Sequence, residues 1–111
     1  MKLIKRSELE CEPISHNPEL LKTVWIRKGI IRHLTFLSET EIPAGKIVAS
    51  HSHTDMTEVF IVTSGIGSFQ VNKSTYNIRA GISVVIEPGE THTIENTGRD
   101  PLKMTYFGIA Y

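Results

Sequence analysis

Two histidines separated by one residue, His51 and His53, are the residues whose type and spacing most directly suggest chemistry. In a β-strand, side chains at positions i and i+2 project from the same face, about 6.6 Å apart along the chain. Two imidazoles at that spacing can converge on one metal ion, each nitrogen about 2.1 Å from it. Glu58 follows after a polar break, and its alternation with Phe60 and Val62 predicts that its carboxylate points into an apolar interior. A carboxylate is costly there unless a cation receives it.

These residues alone leave two interpretations open. In the first, the two histidines and Glu58 bind a metal ion inside the fold. In the second, the histidines lie on a solvated loop and Glu58 stays at the rim in water. The glycines around these residues favour the first.

The glycines recur at fixed intervals in two blocks. Residues 45–65 read Gly-x5-His-x-His-x4-Glu-x6-Gly, and residues 81–96 carry two further glycines, His92 and an asparagine. The two blocks resemble the two-motif signature of the cupin superfamily, and in particular its small single-domain, type-2 metal-binding members. Pro88 is displaced by one position, and Ile82 stands where the family often has aspartate. Both departures lie in turns and leave the ligand positions intact.

The resemblance implies a metal site with four protein ligands, namely His51, His53, Glu58 and His92. It implies one divalent transition-metal ion per chain, because nitrogen and oxygen donors without thiolate suit Fe, Mn, Ni, Co, Zn or Cu. Three neutral imidazoles and one carboxylate leave one or two coordination positions open for a substrate or water. Glu58 could also serve as a catalytic base if its carboxylate leaves the ion.

Short apolar, β-branched segments separated by Gly, Pro, Asn and Asp make up the chain from residue 23 onward. Such segments favour an antiparallel sandwich or small barrel, and the resemblance implies the all-β double-stranded β-helix, or jelly roll, of the cupin barrel. A possible capping box at residues 7–10 and Asn17 before Pro18 predict short helical turns near the N-terminus. The predicted strands cover residues 23–26, 31–41, 47–53, 58–63, 67–71, 75–79, 83–86, 92–95 and 102–110.

The 111 residues are predicted to form one cupin domain, with residues 1–25 packing on the barrel or on a partner subunit. Several predicted strands are apolar on both faces, although strands of a small monomeric barrel usually place polar side chains outward. The simplest cover for the outer face is a second copy of the chain. We therefore expect a homodimer, with cover by the N-terminal segment as the alternative.

Composition narrows the classes of function. Twelve basic and twelve acidic residues cancel, so the basic excess of a nucleic-acid-binding protein is missing. No run of about 18 apolar residues and no signal-peptide pattern occurs, so we expect no membrane association and a cytoplasmic location. The single cysteine, Cys11, excludes an intramolecular disulfide and multi-cysteine metal sites.

Strand alternation predicts a small, mostly apolar substrate pocket. No strand arginine has a clear inward assignment, which disfavours a sugar phosphate and favours a small organic acid, phenol or diketone. Asn96 has two possible roles, on the inner wall or in fixing the turn that follows it. His16 is predicted to be solvated, and His33 to be an ordinary surface or core residue. The predicted pocket residues are Phe60, Val62, Phe69, Ile94, Asn96 and Tyr106.

The sequence thus predicts a metal-dependent enzyme of small-molecule metabolism, of the dioxygenase, decarboxylase, isomerase or lyase type. The alternative is a non-catalytic, metal-containing module that binds or senses a small ligand. A barrel with a vacant or purely stabilising site is a third interpretation. The fold itself does not choose among them.

Overall fold

Ten antiparallel strands and one turn of 3-10 helix, Arg6–Glu8, make up the computed structural model, which describes all residues from Met1 to Tyr111. None of its helices has the length and apolar character needed to cross a membrane. The strands are β1 (Cys11–Ile14), β2 (Asn17–Arg27), β3 (Leu34–Ile42), β4 (Ile47–His51), β5 (Met56–Ser64), β6 (Ile66–Val71), β7 (Ser74–Arg79), β8 (Ser83–Ile86), β9 (His92–Asn96) and β10 (Leu102–Ala110).

The strands form two sheets whose inner faces enclose the core. One sheet has the order β1-β2-β3-β10-β5-β8 and the other the order β4-β9-β6-β7. Alternation places every second side chain of β5, β9 and β10 inward, because successive strand residues point to opposite faces. The inward residues include Phe60, Val62, Ile94, Leu102 and Met104, all at most 4% exposed. The predicted all-β jelly roll is confirmed.

The predicted strands are all present, and those at residues 83–86 and 102–110 have the expected bounds. Other bounds are wrong. The strand predicted at residues 23–26 is β2, which runs from Asn17 to Arg27, and β1 was not predicted. Residues 31–33 form a turn in which His33 has a φ of 69°, and β3 begins only at Leu34. β4 ends at His51, so His53 lies in the connection to β5 rather than in a strand.

The helical turn predicted at Asn17 is also wrong, because Asn17 begins the long strand β2. Its side chain does not cap a helix: Oδ1 accepts a hydrogen bond from the backbone N–H of Ala49, 32 residues away, and Nδ2 donates a local one to Glu19. Burial of Ile14 and Leu20 in the core also stabilises the β1–β2 hairpin. The contact with Ala49 and this burial outweigh the local helix signal.

Gly65, the last residue of the first motif, joins β5 to β6 in a conformation that requires glycine. Its φ is 89°, a region that residues with a Cβ atom rarely adopt. A Cβ atom there would also lie 2.6 Å from the carbonyl oxygen of Pro101. The tight reversal lets β5, which carries Glu58, pass directly into β6.

Candidate metal centre

His51 and His92 face each other across the β4–β9 pair. They are register partners, and a β-bulge lies between Val48 and His51. Val48 points inward and is 4% exposed, so regular alternation would direct His51 outward. The extra residue in the bulge reverses that parity and turns His51 toward the interior.

Glu58 approaches the two histidines from β5 in the opposite sheet. Its side chain is 5% exposed, and its Oε1 lies 3.4 Å from His92 Nε2. One ligand atom from each of His51, Glu58 and His92 lies within 4.8 Å of the other two. Two donors bound about 2.1 Å from one ion can be at most about 4.2 Å apart. The Glu58–His92 distance meets that limit.

His53 contributes from the loop after β4. Its Nε2 lies 3.5 Å from Glu58 Oε1, although its side chain is 33% exposed. The backbone N–H of Gly89 donates a 2.7 Å hydrogen bond to the His53 carbonyl oxygen, which ties this loop to the turn before His92. The structure thus brings all four predicted ligands to one place, three as a close cluster and His53 beside it.

Backbone carbonyls orient two of the imidazoles. His51 Nδ1 lies 2.9 Å from the carbonyl oxygen of Ala49, and His92 Nδ1 lies 3.2 Å from that of Glu90. A carbonyl oxygen only accepts, so each Nδ1 carries a proton, which leaves Nε2 as the nitrogen that can ligate a metal. Burial also lowers the pKa of His51 to about 4, so this imidazole is neutral near pH 7.

The electrostatics of the centre favour a bound cation. Glu58 Oε1 and His92 Nε2 are both buried and have no hydrogen-bond partner. In the tautomer that ligates a metal, with the proton on Nδ1 alone, His92 presents a lone pair to the carboxylate oxygen 3.4 Å away. Two buried acceptors facing each other are unfavourable unless a cation lies between them. The donor set therefore fits a divalent transition-metal ion.

A cavity of about 100 Å³ adjoins the centre. Of the six predicted pocket residues, Phe60, Ile94 and Tyr106 line it. Val62 and Phe69 do not line it and lie in the core, at 1% and 0% exposure.

Asn96 does not line the cavity either. Its Nδ2 donates to the carbonyl oxygens of Ile42 and Asp100, and its Oδ1 accepts from the N–H of Gly98. All three hydrogen bonds are to backbone groups. Of its two predicted roles, the side chain therefore performs the second and fixes the turn.

Tyr106 is an inward residue of β10 that lines the cavity beside the centre. Its ring stacks on Phe60 with centroids 5.4 Å apart and an interplanar angle of 8°. Burial and the nearby Glu58 carboxylate raise the pKa of the phenol well above its usual range. The hydroxyl therefore stays protonated at neutral pH and can donate a hydrogen bond into the cavity.

Sequence reasoning missed the wall of the cavity that the β1–β2 hairpin provides. Ile14, Ser15, His16 and Lys22 line it, and the ring of His16 lies 3.8 Å from that of His51, centroid to centroid. His16 is exposed, as predicted, but its contact with His51 also makes it part of the cavity wall, and partial burial lowers its pKa.

Lys22 is a positively charged residue that lines the cavity. No strand arginine had a clear inward assignment from the sequence, and Lys22 was not considered. Its strand had been predicted to begin at Thr23, one residue after Lys22, whereas β2 begins at Asn17. The alternation of Leu20, Lys22 and Val24 on one face of β2 was the available signal.

Comparison with known proteins identifies the family. Residues 38–108 match the family model for a cupin domain. The chain belongs to the cupin family. The match contains all four histidine and glutamate positions of the candidate centre as well as both glycine-rich motifs.

Three relatives show how far the cupin likeness extends. An uncharacterized protein of Methanocaldococcus jannaschii is 27% identical over 108 residues, which cover 94% of this chain and 84% of that protein. An oxalate-binding protein of Thermotoga maritima is 35% identical over 63 residues, 57% of this chain and about half, 52%, of that protein. A crystal structure of a predicted oxalate decarboxylase from Thermotoga maritima superposes with a TM-score of 0.88 at 25% identity, covering 99% of this chain and 100% of that one.

Proposed function

We propose that this cupin binds one divalent transition-metal ion through His51, His53, Glu58 and His92 and acts as a metal-dependent enzyme on a small organic molecule. One observation carries the proposal: Glu58 Oε1 and His92 Nε2 are buried polar atoms 3.4 Å apart, and neither has a hydrogen-bond partner. Structural stability alone gives no reason to bury such a pair, since an apolar pair of the same shape would avoid the desolvation cost.

The side chains around the centre have separate roles in binding a ligand and in its chemistry. A bound divalent ion would supply positive charge that polarises an oxygen atom of the ligand. The Ala49 and Glu90 carbonyls hold two imidazoles with their Nε2 atoms toward the centre. Tyr106 offers a neutral hydroxyl donor, and Glu58 is the carboxylate available to accept a proton. The apolar side chains of Phe60 and Ile94 exclude water from the cavity.

The reaction class we propose is that of the small cupin enzymes, namely a dioxygenase, decarboxylase, isomerase or lyase. A cavity of about 100 Å³ is far smaller than the about 300–1,000 Å³ of pockets for drug-sized ligands. It suits a molecule of a few heavy atoms. The oxalate-binding protein and the predicted oxalate decarboxylase of Thermotoga maritima support a small organic acid.

A non-catalytic metal-containing binding module is the second candidate. The resemblance to a protein named for binding oxalate, rather than for converting it, favours this candidate. Incubation of the metal-loaded protein with oxalate, followed by analysis of carbon dioxide and formate, separates the two for that ligand. Product formation favours the enzyme, and binding without product favours the module.

Elemental analysis of tag-free protein from its native host tests the metal site. We expect about one equivalent of a transition metal per chain, lost in the double variant His51→Ala/His92→Ala, because the site is built from these side chains. Circular dichroism of the variant checks that the fold survives. Less than about a tenth of an equivalent in the wild type, with no uptake on titration, would refute the proposed site.

We also propose that the protein is a homodimer. Five register partners form an apolar row across the outer face of the six-stranded sheet: Ile26, Leu37, Phe107, Val59 and Val85. The side chain of Val85 at the end of this row is 57% exposed. A second copy would cover the row, and the zero net charge of the chain gives little repulsion between copies.

Light scattering after size exclusion tests the dimer. Val85→Glu is expected to shift the mass from two chains to one, because a carboxylate cannot be buried there without a partner. Ile47→Glu is the matched control, since Ile47 is 45% exposed on the other sheet and should leave the mass unchanged. A wild-type protein with the mass of one chain would contradict the proposal.

A further inference from the structure

Lys22 places a positive charge on the inner face of β2. It lies between Leu20 and Val24, which are 2% and 6% exposed, and its own side chain is 25% exposed. It lines the same cavity as His51, His53 and Glu58, and no other lysine or arginine lines that cavity. A basic residue and the candidate metal centre therefore line the same small, largely apolar cavity.

The ammonium group of Lys22 is incompletely neutralised within the chain. The one carboxylate oxygen within 4.0 Å is Glu12 Oε1, at the limit for an ion pair. The other oxygen of Glu12 already accepts a 2.6 Å hydrogen bond from Arg27. Two cations thus share one carboxylate, which leaves this group of three residues with a net charge of +1. The three N–H donors of the ammonium remain available to a ligand.

The candidate metal centre forms another wall of the cavity. Once the proposed metal ion is bound, this wall is positively charged, as the Lys22 wall is. A divalent ion with one carboxylate ligand, Glu58, and neutral imidazoles has a net charge of +1. An anion between the two walls would gain favourable interactions with both, whereas a neutral molecule would gain much less. The positive charges are also partly screened from water, which strengthens their attraction for an anion.

We propose that Lys22 is a specificity-determining residue of this cavity and that the ligand is a small carboxylate anion, with one carboxylate oxygen on the Lys22 ammonium. This proposal rests on the proposed metal site, because the second positive wall exists only when that site is filled. The volume of about 100 Å³ limits the ligand to a compact acid of a few heavy atoms, such as oxalate or glyoxylate.

Calorimetric titration of oxalate into Mn(II)-loaded protein tests the role of Lys22, with the neutral isostere oxamide as a second ligand. Wild-type protein should bind oxalate at least about tenfold more tightly than oxamide, as expected for a charge-assisted hydrogen bond. Lys22→Met should retain one Mn(II) per chain but raise the Kd for oxalate about tenfold or more, while Lys22→Arg keeps most of the affinity. Lys73→Met is the matched control, because Lys73 is exposed in the β6–β7 turn and does not line the cavity.

Glu12→Gln should change the oxalate affinity in the opposite direction from Lys22→Met, and it leaves the side chains that line the cavity unchanged. It removes the carboxylate that competes for Lys22, so oxalate should bind more tightly, by about two- to fivefold. It also keeps the proposal testable if Lys22→Met fails to fold.

The outcomes separate this proposal from the one on which it rests. A wild-type protein that takes up no Mn(II) would refute the metal site itself. A wild type that binds Mn(II) but shows no preference for oxalate over oxamide would overturn only the carboxylate proposal. An unchanged oxalate Kd in folded, metal-loaded Lys22→Met would overturn the role of Lys22.

Discussion

The candidate metal centre and the hairpin wall beside it share one cavity but are built in different ways. Glu58 and His92 in the centre are buried, at 4% and 1% exposure. His16 in the wall is exposed, the side chain of Lys22 is 25% exposed, and both belong to the β1–β2 hairpin, whose strand β1 is an edge of the six-stranded sheet. Buried groups are held by packing on every side, whereas partly exposed groups on a hairpin depend on a few specific contacts.

One of those contacts joins the two regions. Asn17 begins β2 in the hairpin, and its Oδ1 accepts a 2.6 Å hydrogen bond from the N–H of Ala49. Ala49 lies in the bulge of β4, and its carbonyl oxygen accepts the hydrogen bond from His51 Nδ1. The hairpin therefore supports the bulge that turns His51 inward, so the two regions are coupled through one backbone residue.

Metal removal is expected to have the largest effect of the changes considered, and it acts on the metal centre and not on the hairpin wall. A ligand at about 1,000 times its Kd stabilises the folded state by about 4 kcal/mol. For a domain of this size, that corresponds to a rise in Tm of more than about 10 °C. Scanning calorimetry with excess metal and then with EDTA should therefore show a fall of that size in the wild type. The control is the double variant His51→Ala/His92→Ala, in which EDTA should change nothing; equal Tm values in the wild type would contradict a stabilising ion.

Asn17→Ala should have a smaller effect that reaches both regions. Loss of the hydrogen bond to Ala49 is expected to lower the free energy of unfolding by about 1 kcal/mol. It should also weaken metal binding by about tenfold, because the support of His51 is loosened. Urea unfolding and metal titration measure the two effects. Asn77→Ala is the control, since Asn77 is exposed in β7; a metal affinity equal to that of the control would show that the coupling is absent.

His16→Phe should produce the smallest change. Phenylalanine keeps the packing against His51 but removes both ring nitrogens, so the metal Kd should change by less than about threefold if His16 only packs there. The same metal titration measures it. A loss comparable to that of His92→Ala would place His16 among the ligands and would erase the distinction between centre and wall.

Spacing rules and the resemblance of the two motifs proposed the four ligands of the candidate centre, and the structure brings three of them, His51, Glu58 and His92, into one cluster. Alternation of Glu58, Phe60 and Val62 on β5 correctly placed the carboxylate inside, and the glycine-rich motifs indicated the jelly roll. The prediction was weaker for the pocket. Val62 and Phe69 do face inward, but they lie in the core rather than at the cavity. Alternation gives the face of a strand and does not say which level of the barrel a cavity occupies.

Near the N-terminus, long-range contacts rather than local sequence patterns decided the structure. Asn17 before Pro18 is a local pattern typical of a helix start, yet it begins a strand because Asn17 bonds to Ala49, 32 residues away. Lys22 was overlooked for a related reason, since the predicted strand began one residue after it.

The sequence by itself determined the fold class and the family, because residue type, short-range periodicity and the spacing of the two motifs carry that information. The resemblance of those motifs proposed the four residues of the candidate centre. Only the tertiary structure decided that His51 points inward, that His16 and Lys22 form a wall of the cavity, and that Asn96 fixes a turn. Each of these depends on contacts between residues far apart in the chain. These contacts form only once the two sheets have come together. They are the bulge in β4, the packing of the β1–β2 hairpin and the three hydrogen bonds between the Asn96 side chain and backbone groups.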